Sequence, residues 1–432
     1  MESFWLQNRT YWIDLFQQMA LRAGGDSAAP KFRALSSGIP VPRAHQKMPA
    51  LILIDIGGSS TKVGTRTVKD SESWKILMEE PNDSFKGREL EGGTLKQFAD
   101  AVAKKTDEAL KAGSLSSESW GLGIVWSNAM ENPVVPGVGI DGIVSGREHY
   151  SKGEWFCKDV KNGDSVGRTF VDAFRQVGIK VSLLLVGNDT PLTMKAVASA
   201  ASGMVASTGL NATIVKNGKN GPIICNAEMG TTFKVDSSLV GESDFISPGT
   251  KASIIEHLVS GQNLPKLFVA HVMAESRRVE ALGALAEKLR GQEAKAFEMF
   301  SAPDLAMCLN APQEFGKKFN LSENEVKESQ KVVARLITRA ARLSALLAYA
   351  SVVEQFDQHS SVEVALDSSL SRGIPLFWSE LKNALNEITP AGKTITLTLV
   401  DRCQVPGGVL SVPMMGAANA LDSLAESLNA QK

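Results

Sequence analysis

The sequence has few of the features that mark several large classes of protein. Its four cysteines, Cys157, Cys225, Cys308 and Cys403, are far apart and include no CxxC pair, so neither a disulfide framework nor a zinc site is indicated. The 46 basic and 47 acidic residues nearly cancel, which gives no sign of a nucleic-acid or membrane partner. No apolar run reaches the roughly 20 residues of a membrane-spanning helix, and the amino terminus lacks a basic segment followed by an apolar core. We therefore expect a cytoplasmic protein.

The rest of the composition is that of an ordinary globular protein. With 432 residues, 43% of them hydrophobic, the chain is long enough for two domains with separate cores. Strand and helix patterns alternate in two successive halves, each opening with a hairpin, which predicts an α/β protein whose two similar domains face a cleft. We expect a small domain of residues 48–187 and about 416–432, and a large domain of residues 1–47 and 188–415, with a hinge between them.

One apolar strand ends in a carboxylate, two glycines and a cluster of hydroxyls. Leu51-Ile-Leu-Ile-Asp55 suits a strand buried on both faces, and Gly57-Gly58 permits a tight turn that a ligand can approach closely. Amides and hydroxyls at such a turn can hold phosphate oxygens. Asp55 is well placed to hold Mg²⁺ through water, because Mg²⁺ keeps several waters and takes only one or two carboxylates. The stretch by itself is equally compatible with an ordinary hairpin.

A second polar cluster follows another buried strand. Asn188-Asp189-Thr190 comes after the apolar run 181–186, and a carboxylate at a strand end beside a cleft can accept a hydroxyl proton as general base. The alternative is that Asp189 caps a helix that begins near Thr193. Farther on, Ser207-Thr-Gly-Leu-Asn211 can form a second phosphate-contacting turn opposite the first.

Taken together, these motifs resemble those of the hexokinase family. Its members have a two-domain actin-like (ribonuclease H-like) ATPase fold with a central active-site cleft, and they transfer the γ-phosphoryl group of ATP to the 6-hydroxyl of a hexose. The resemblance extends from about residue 30 to the end of the chain. Six segments carry it, in the family's order: Asp55-Ile-Gly-Gly-Ser-Ser-Thr-Lys62 resembles DLGGTNFR, Tyr150-Ser-Lys-Gly153 resembles WTKG, Asn188-Asp-Thr190 matches NDT, Thr208-Gly-Leu-Asn-Ala212 resembles TGSNA, Asn226-Ala-Glu-Met-Gly230 resembles NMEWG, and Ser247-Pro-Gly249 with Ile255-Glu-His-Leu-Val-Ser-Gly261 resembles NPG followed by YEKLIGG.

The resemblance implies a role for each matching residue, with ATP as donor and Mg²⁺ as cofactor. Asp189 is the expected general base, Lys152 the catalytic cation that lessens phosphate repulsion, and Asp55 and Asp189 are expected to hold Mg²⁺ through water. The expected sugar-binding residues are Ser127, Ser151, Lys152, Asn188, Asp189, Asn211, Glu228 and Glu256. The expected nucleotide-binding residues are Asp55, Gly57, Gly58, Ser59, Ser60, Lys62, Thr208, Gly209, Ser368, Gly407 and Gly408.

Departures from the family pattern concentrate on the nucleotide side. Ser59-Ser60 replaces the family's TN, and Ser127 is the single residue carried over from its SFP segment. Asp367-Ser-Ser369 replaces its DGS, and Asp401-Arg-Cys-Gln-Val-Pro-Gly-Gly408 replaces its acidic GSGKG turn. The identity of the phosphoryl donor is therefore the most open part of the expectation.

We expect an ATP-dependent hexokinase, a monomer or homodimer, that acts on glucose or a related hexose and has no nucleic-acid or membrane partner. Two alternatives are open: a catalytically silent sugar-binding sensor on the same fold, and a kinase for a modified sugar or another small hydroxylated metabolite. Asp189 and Lys152 argue against the sensor, because binding alone needs neither a general base nor a phosphate-facing cation. Glu228 and Glu256 favour an unmodified hexose.

Overall fold

The structure is a computed structural model, and it gives the two halves of the chain a sheet each. It describes residues 35–36, 48, 50–57, 60–67, 74–81, 93–127, 130–136, 138–144, 159–207, 209–218, 221–227, 244 and 254–429. The described strands are β1 (Leu35–Ser36), β2 (Leu51–Ile56), β3 (Ser60–Arg66), β4 (Trp74–Pro81), β5 (Trp120–Trp126), β6 (Met130–Glu131), β7 (Val134–Val135), β8 (Gly139–Ile140), β9 (Ile143–Val144), β10 (Val181–Gly187), β11 (Ser202–Ala206), β12 (Leu210–Gly218), β13 (Gly221–Asn226), β14 (Ser361–Asp367), β15 (Thr394–Leu399), β16 (Cys403–Val405) and β17 (Gly408–Leu410). The described α-helices are α1 (Leu95–Ala112), α2 (Val166–Gln176), α3 (Asp189–Lys195), α4 (Ile254–Val259), α5 (Leu264–Glu275), α6 (Gly283–Arg290), α7 (Ala302–Asn310), α8 (Pro312–Phe319), α9 (Glu323–Val352), α10 (Ser369–Gly373), α11 (Pro375–Ile388) and α12 (Val412–Asn429).

The first sheet is built around the hairpin predicted at the glycine turn. β2 pairs antiparallel with β3, which places Asp55 opposite Lys62, and β2 and β10 run parallel to β5 on either side of it. The strand order is β4-β3-β2-β5-β10-β8-β7. Because helices cover both faces of the parallel strands, β5 reads as a continuous apolar run and is buried along its whole length.

Helices α1 and α2 pack side by side on one face of this sheet. Thr94 begins α1 with a capping box to Gln97, and Ser165 begins α2 by accepting a hydrogen bond from the Arg168 amide. Phe98 and Phe170 meet edge to face between the helices, 6.1 Å apart. These helices form the outer layer of the half that carries the first glycine turn.

The second sheet has the order β1-β13-β12-β11-β14-β15. The predicted hairpin β12–β13 is extended by β11 into an antiparallel meander, and β11 then pairs in parallel with β14. The long helix α9 lies on one face of this sheet, within the core of the second half. By length and composition alone Glu323–Asp357, with a mean hydropathy of 1.4 in its most apolar window, would suffice to cross a membrane, but 78% of that window is buried inside the protein. Packing in the core accounts for its apolar composition.

The two halves meet where α3 crosses α12. The chain leaves the first sheet after Gly187 and enters α3, whereas α12 returns from the second half to pack on β2, β5 and β10. At the crossing the backbones touch, because a Cβ at Gly416 would lie 1.6 Å from the Leu192 carbonyl oxygen. On its other side α3 lies against β11, where a Cβ at Gly203 would lie 2.4 Å from the Thr190 carbonyl oxygen. The chain crosses between the sheets at the expected domain boundary; that the halves are separate domains joined by a hinge stays a prediction.

Replacing Gly416 with Ala should separate α12 from α3. The added methyl group has no space against the Leu192 carbonyl, and overpacking of this kind costs about 1–3 kcal/mol of stability. Urea unfolding measures that loss. The matched control is Gly283→Ala at the start of α6, where a Cβ meets nothing within 4 Å and stability should stay the same or rise. Equal stability of the two variants would contradict the close crossing.

Candidate active site

Asp55 is the half-buried residue before the last in β2, at the edge of the sheet that faces the second half. Its carboxylate accepts a hydrogen bond from the Ser411 hydroxyl, which lies between β17 and α12. Burial raises the pKa of Asp55, and the nearby Asp367 carboxylate adds to the rise, while Ser411, Lys62 and Arg402 oppose it. Because burial makes the ionised form of this carboxylate unfavourable, a cation bound beside it would stabilise that form.

The turn after Asp55 is tight, as the two glycines predict. The Gly57 amide donates to the Ser60 carbonyl oxygen at 3.0 Å, which closes the chain between β2 and β3. Lys62, the first cation after the turn, is already bound: its ammonium donates to the Val409 carbonyl oxygen at 2.9 Å and lies 3.1 Å from a Glu79 carboxylate oxygen. Lys62 is therefore tied to β4 and to β17.

Asp189 is the first residue of α3. The helix begins four residues earlier than the alternative interpretation of this motif required, because Asn188, not Asp189, is its cap and accepts hydrogen bonds from the amide and hydroxyl of Thr190. The Asn188 side-chain amide also donates to the Trp126 carbonyl oxygen at 3.4 Å, next to Ser127. The buried amide of Asn188 thus fixes the start of the helix, and Asp189 follows it half-buried.

A buried polar network joins the start of α3 to the second sheet. The Asn211 side-chain amide donates to the Thr190 hydroxyl at 3.1 Å and to the Asn226 side-chain oxygen at 2.8 Å, and the Thr190 hydroxyl oxygen lies 3.1 Å from that Asn226 oxygen. The Asn211 side-chain oxygen accepts from the Ala212 amide. Because an unpaired polar group here would cost about 1–3 kcal/mol, the network holds Asn188, Thr190 and Asn211 in one arrangement.

The turn between β11 and β12 packs against two other elements. The Ser207 amide donates to the Gly209 carbonyl oxygen, and the Ser207 hydroxyl accepts from the Ser369 amide at 3.0 Å. A Cβ at Gly209 would lie 2.7 Å from a Glu256 carboxylate oxygen, so glycine is what lets Glu256 approach this turn. Ser368 caps α10 and donates to the Ala206 carbonyl oxygen.

The hairpin β16–β17 lies over the first sheet although it follows a strand of the second. The Pro406 carbonyl oxygen accepts from the Ile76 amide of β4 at 2.9 Å. Gly407 and Gly408 have φ values of +85° and +154°, and a Cβ at Gly407 would lie 2.4 Å from the Ile76 carbonyl oxygen. Turn geometry and packing therefore account for both glycines, and their assignment to nucleotide binding stays a prediction.

The carboxylates at this edge suit a Mg²⁺ ion that is bound through water molecules, as the sequence predicts. Within the described residues no group of three or more His, Cys, Asp or Glu is arranged to hold a metal ion, so an all-protein cage is not formed there. A half-buried carboxylate such as Asp55, which lies near Asp367 and accepts a hydrogen bond from the Ser411 hydroxyl, suits an ion that keeps most of its waters. Asp55 is the residue that would hold it.

Comparison with models of known protein families relates part of the chain to one family. The hexokinase family model matches residues 201–414, which include the Ser207–Gly209 turn, Asn211 and Glu256. This part of the chain, residues 201–414, therefore matches the hexokinase family. No curated protein matches the sequence.

Solved hexokinase structures share the fold over almost the whole chain. A hexokinase from Schistosoma mansoni complexed with glucose is 15% identical, with a TM-score of 0.72 and 95% of each chain covered. A second hexokinase crystal structure is 18% identical, with a TM-score of 0.73 and coverage of 98% of this chain and 96% of the other. A glucokinase from Balamuthia mandrillaris in complex with glucose is 13% identical, with a TM-score of 0.50 and coverage of 95% and 98%. The two-domain actin-like kinase architecture expected from the sequence is confirmed.

Apart from Gly407 and Gly408, the described residues of the predicted site fall into three groups. Asp55, Gly57, Ser60 and Lys62 form the first, Ser127, Asn188, Asp189 and Asn211 the second, and Gly209, Glu256 and Ser368 the third. The remaining predicted residues lie outside the described part of the chain: Gly58, Ser59, Ser151, Lys152, Thr208 and Glu228.

Sequence reasoning missed several residues that shape the site. Thr190 and Asn226 lie inside motifs that were singled out, and their cross-strand position beside Asn211 is what makes them partners. Ser411 carried no signal, since it is an isolated serine far along the chain from Asp55.

A buried ion cluster anchors the segment between the two predicted sugar glutamates. Asp244 is the one described residue between 228 and 253; it accepts from Arg339 of α9 at 2.9 Å and lies 3.0 Å from His271 of α5. Burial opposes its ionisation, but the hydrogen bonds and charges of His271 and Arg339 prevail and hold the pKa of Asp244 well below its usual range. The cluster fixes the chain midway between Glu228 and Glu256.

Replacing Asp244 with Asn should therefore cost about 3 kcal/mol at pH 7, because Arg339 loses its buried partner. A carboxyl whose pKa is depressed on folding stabilises the protein above its unfolded pKa, near 4, and loses that contribution as pH falls, so the difference from wild type should shrink below about pH 4. Urea unfolding from pH 7 to 3.5 measures both effects. Asp172→Asn, which breaks the exposed pair with Arg175, is the control and should cost under about 1 kcal/mol. Equal losses in the two variants would contradict the anchor.

Proposed function

We propose that the protein is an ATP-dependent hexokinase that phosphorylates the 6-hydroxyl of glucose or a closely related hexose. The match of residues 201–414 to the hexokinase family and the fold support a sugar kinase. The observation that carries the finer proposal is the start of α3, where Asp189 follows the hydrogen-bonded cap Asn188 at the meeting point of the two halves. We further propose that it acts in the cytoplasm, as a monomer or homodimer.

Asp189 is the proposed general base. Phosphoryl transfer through a loose, in-line transition state demands positioning and charge neutralisation more than covalent chemistry. The base must therefore be held in place, and Asp189 is fixed by the Asn188 cap before it and by the packing of α3 on β11 after it. It would orient the sugar hydroxyl and accept its proton as the bond to phosphorus forms.

The polar residues around Asp189 suit a polyol. Asn188 and Asn211 present amides whose orientation is set by the buried network, and Glu256 lies beside the Gly209 turn. Such groups hydrogen-bond hydroxyls at little entropic cost, because their conformations are fixed before the sugar arrives. Glu228 joins them in this proposal on the strength of its motif.

The donor phosphates are proposed to lie between the turns at Gly57 and Gly209. Mg²⁺ held by Asp55 would neutralise charge on the phosphates when bound. Lys152 would face the transferred phosphoryl group.

Replacing Asp189 with Ala should lower kcat for glucose phosphorylation by about 10²–10⁴-fold and leave glucose affinity within a few-fold, since general-base catalysis contributes to the chemical step. A coupled assay with ATP and Mg²⁺ measures turnover, and calorimetry measures glucose binding. Asp172→Ala on the exposed face of α2 serves as the control and should match wild type. Turnover of Asp189→Ala within about twofold of wild type would remove Asp189 from the mechanism.

Replacing Glu256 or Glu228 with Ala should each lower kcat/KM for glucose by roughly ten- to a hundredfold, because each removes a charge-assisted hydrogen bond to a sugar hydroxyl. ATP affinity should hardly change, and Glu280→Ala on an exposed turn is the matched control. If both variants keep full kcat/KM in an active enzyme, the substrate is not a simple hexose. A silent sensor would instead bind glucose in the wild type without turnover.

A further inference from the structure

The basic side chains near the proposed donor site differ in how many hydrogen bonds and ion pairs they make within the protein. Lys62 is bound to Glu79 and to the Val409 carbonyl oxygen. Arg372 of α10 donates to Asp367 at 2.7 Å and to the Val400 carbonyl oxygen. Both side chains therefore use part of their donor capacity to hold the fold together.

Arg402 is the exception within the part of the chain that the structure describes. It follows β15 and precedes the hairpin β16–β17, and its side chain is 45% exposed. Its one recorded ion-pair contact is to Asp367 at 3.9 Å, too long for a hydrogen bond, and it makes no hydrogen bond to any described residue. A guanidinium has five N–H donors in a planar fork, so this side chain holds binding capacity that the described fold does not use.

Its position lies between the two phosphate turns. Arg402 begins the segment that ends at Ser411, whose hydroxyl donates to Asp55, and Asp55 leads into the turn at Gly57. On the other side Asp367 leads through Ser368 and Ser369 to the Ser207 turn. A polyanion that spans the two turns would pass Arg402.

The local negative charge means that an additional cation would favour the binding of such a ligand. Asp55 and Asp367 come from strands of different sheets and place two carboxylates at the same edge, where they repel each other and any phosphate. A planar guanidinium binds phosphate through paired hydrogen bonds, which an ammonium cannot match.

We propose that Arg402 binds the phosphate chain of the phosphoryl donor and determines donor affinity. The proposal rests on the proposed kinase function, which it deepens by naming a donor contact in the segment that departs most from the family pattern. The competing interpretation is that Arg402 only neutralises Asp55 and Asp367 within the protein.

Binding measurements on Arg402→Gln test the proposal without turnover. Calorimetry with tripolyphosphate, with a non-hydrolysable ATP analogue and with glucose, all in the presence of Mg²⁺, separates the phosphate contact from the rest of the site. We expect tripolyphosphate and the analogue to bind about 10- to 100-fold more weakly to the variant than to wild type, and glucose to bind equally. The salt dependence of tripolyphosphate binding should also become shallower, because one cation is lost.

Two further variants make the outcome specific. Arg175→Gln, which removes an arginine from the exposed face of α2, is the matched control and should bind every ligand as wild type does. Arg402→Lys keeps the charge but loses the planar fork, and we expect it to bind tripolyphosphate about 3- to 10-fold more weakly than wild type. If Arg402→Gln does not fold, this second variant carries the test.

Tripolyphosphate binding within twofold of wild type in the folded Arg402→Gln variant, or in Arg402→Lys where it stands in, would overturn the proposal and leave Arg402 as an internal counterion. Failure of wild type to bind tripolyphosphate or the analogue would also overturn it. Failure of the proposed function has a different signature, namely absence of glucose phosphorylation by wild type whatever the binding of phosphate chains shows.

Discussion

The placement of the site depends on the close packing of α3 between β11 and α12. Glycines at both contacts, Gly203 and Gly416, let the helix backbone lie directly against its neighbours, where any side chain would push it away. One end of α3 carries Asp189, and the other carries Lys195, whose pKa burial lowers to about 7. Tight packing on both sides holds α3, and with it the proposed base Asp189, in a fixed position relative to both sheets.

The hydrogen-bond network beside Asp189 follows from the same packing. Thr190, Asn211 and Asn226 are buried, so each polar atom must find a partner within the protein. The partners come from one helix and two strands, and the bonds form only if those elements keep their spacing. The same contacts therefore stabilise the fold and hold the proposed sugar-binding residues in place before a ligand binds, as expected of a preorganised site.

The proposed donor site, unlike the surroundings of Asp189, depends on a connecting segment that lies outside the two main sheets. The segment from 401 to 411 leaves the second sheet, forms a hairpin on β4 and supplies contacts to Asp55 and Lys62 before α12 begins. A single connection thus touches both halves at the donor site, and its sequence is where the chain departs most from the hexokinase motifs. Variation in this connection can alter donor recognition while the base and the sugar residues stay as they are.

The sequence by itself determined the elements whose signals are local. The apolar run before Asp55 could be predicted because burial on both faces leaves a direct mark on neighbouring residues, and the turn that follows because two adjacent glycines permit a tight connection. The family motifs likewise lie in short continuous segments. Only the tertiary structure decided which distant groups meet: Ser411 with Asp55, Glu256 with Gly209, and Arg402 with Asp367. It also decided that α3 starts at Asp189, because the partners that hold Thr190 lie on β12 and β13. Such contacts depend on how strands and helices pack across the cleft, and no local spacing in the chain encodes that arrangement.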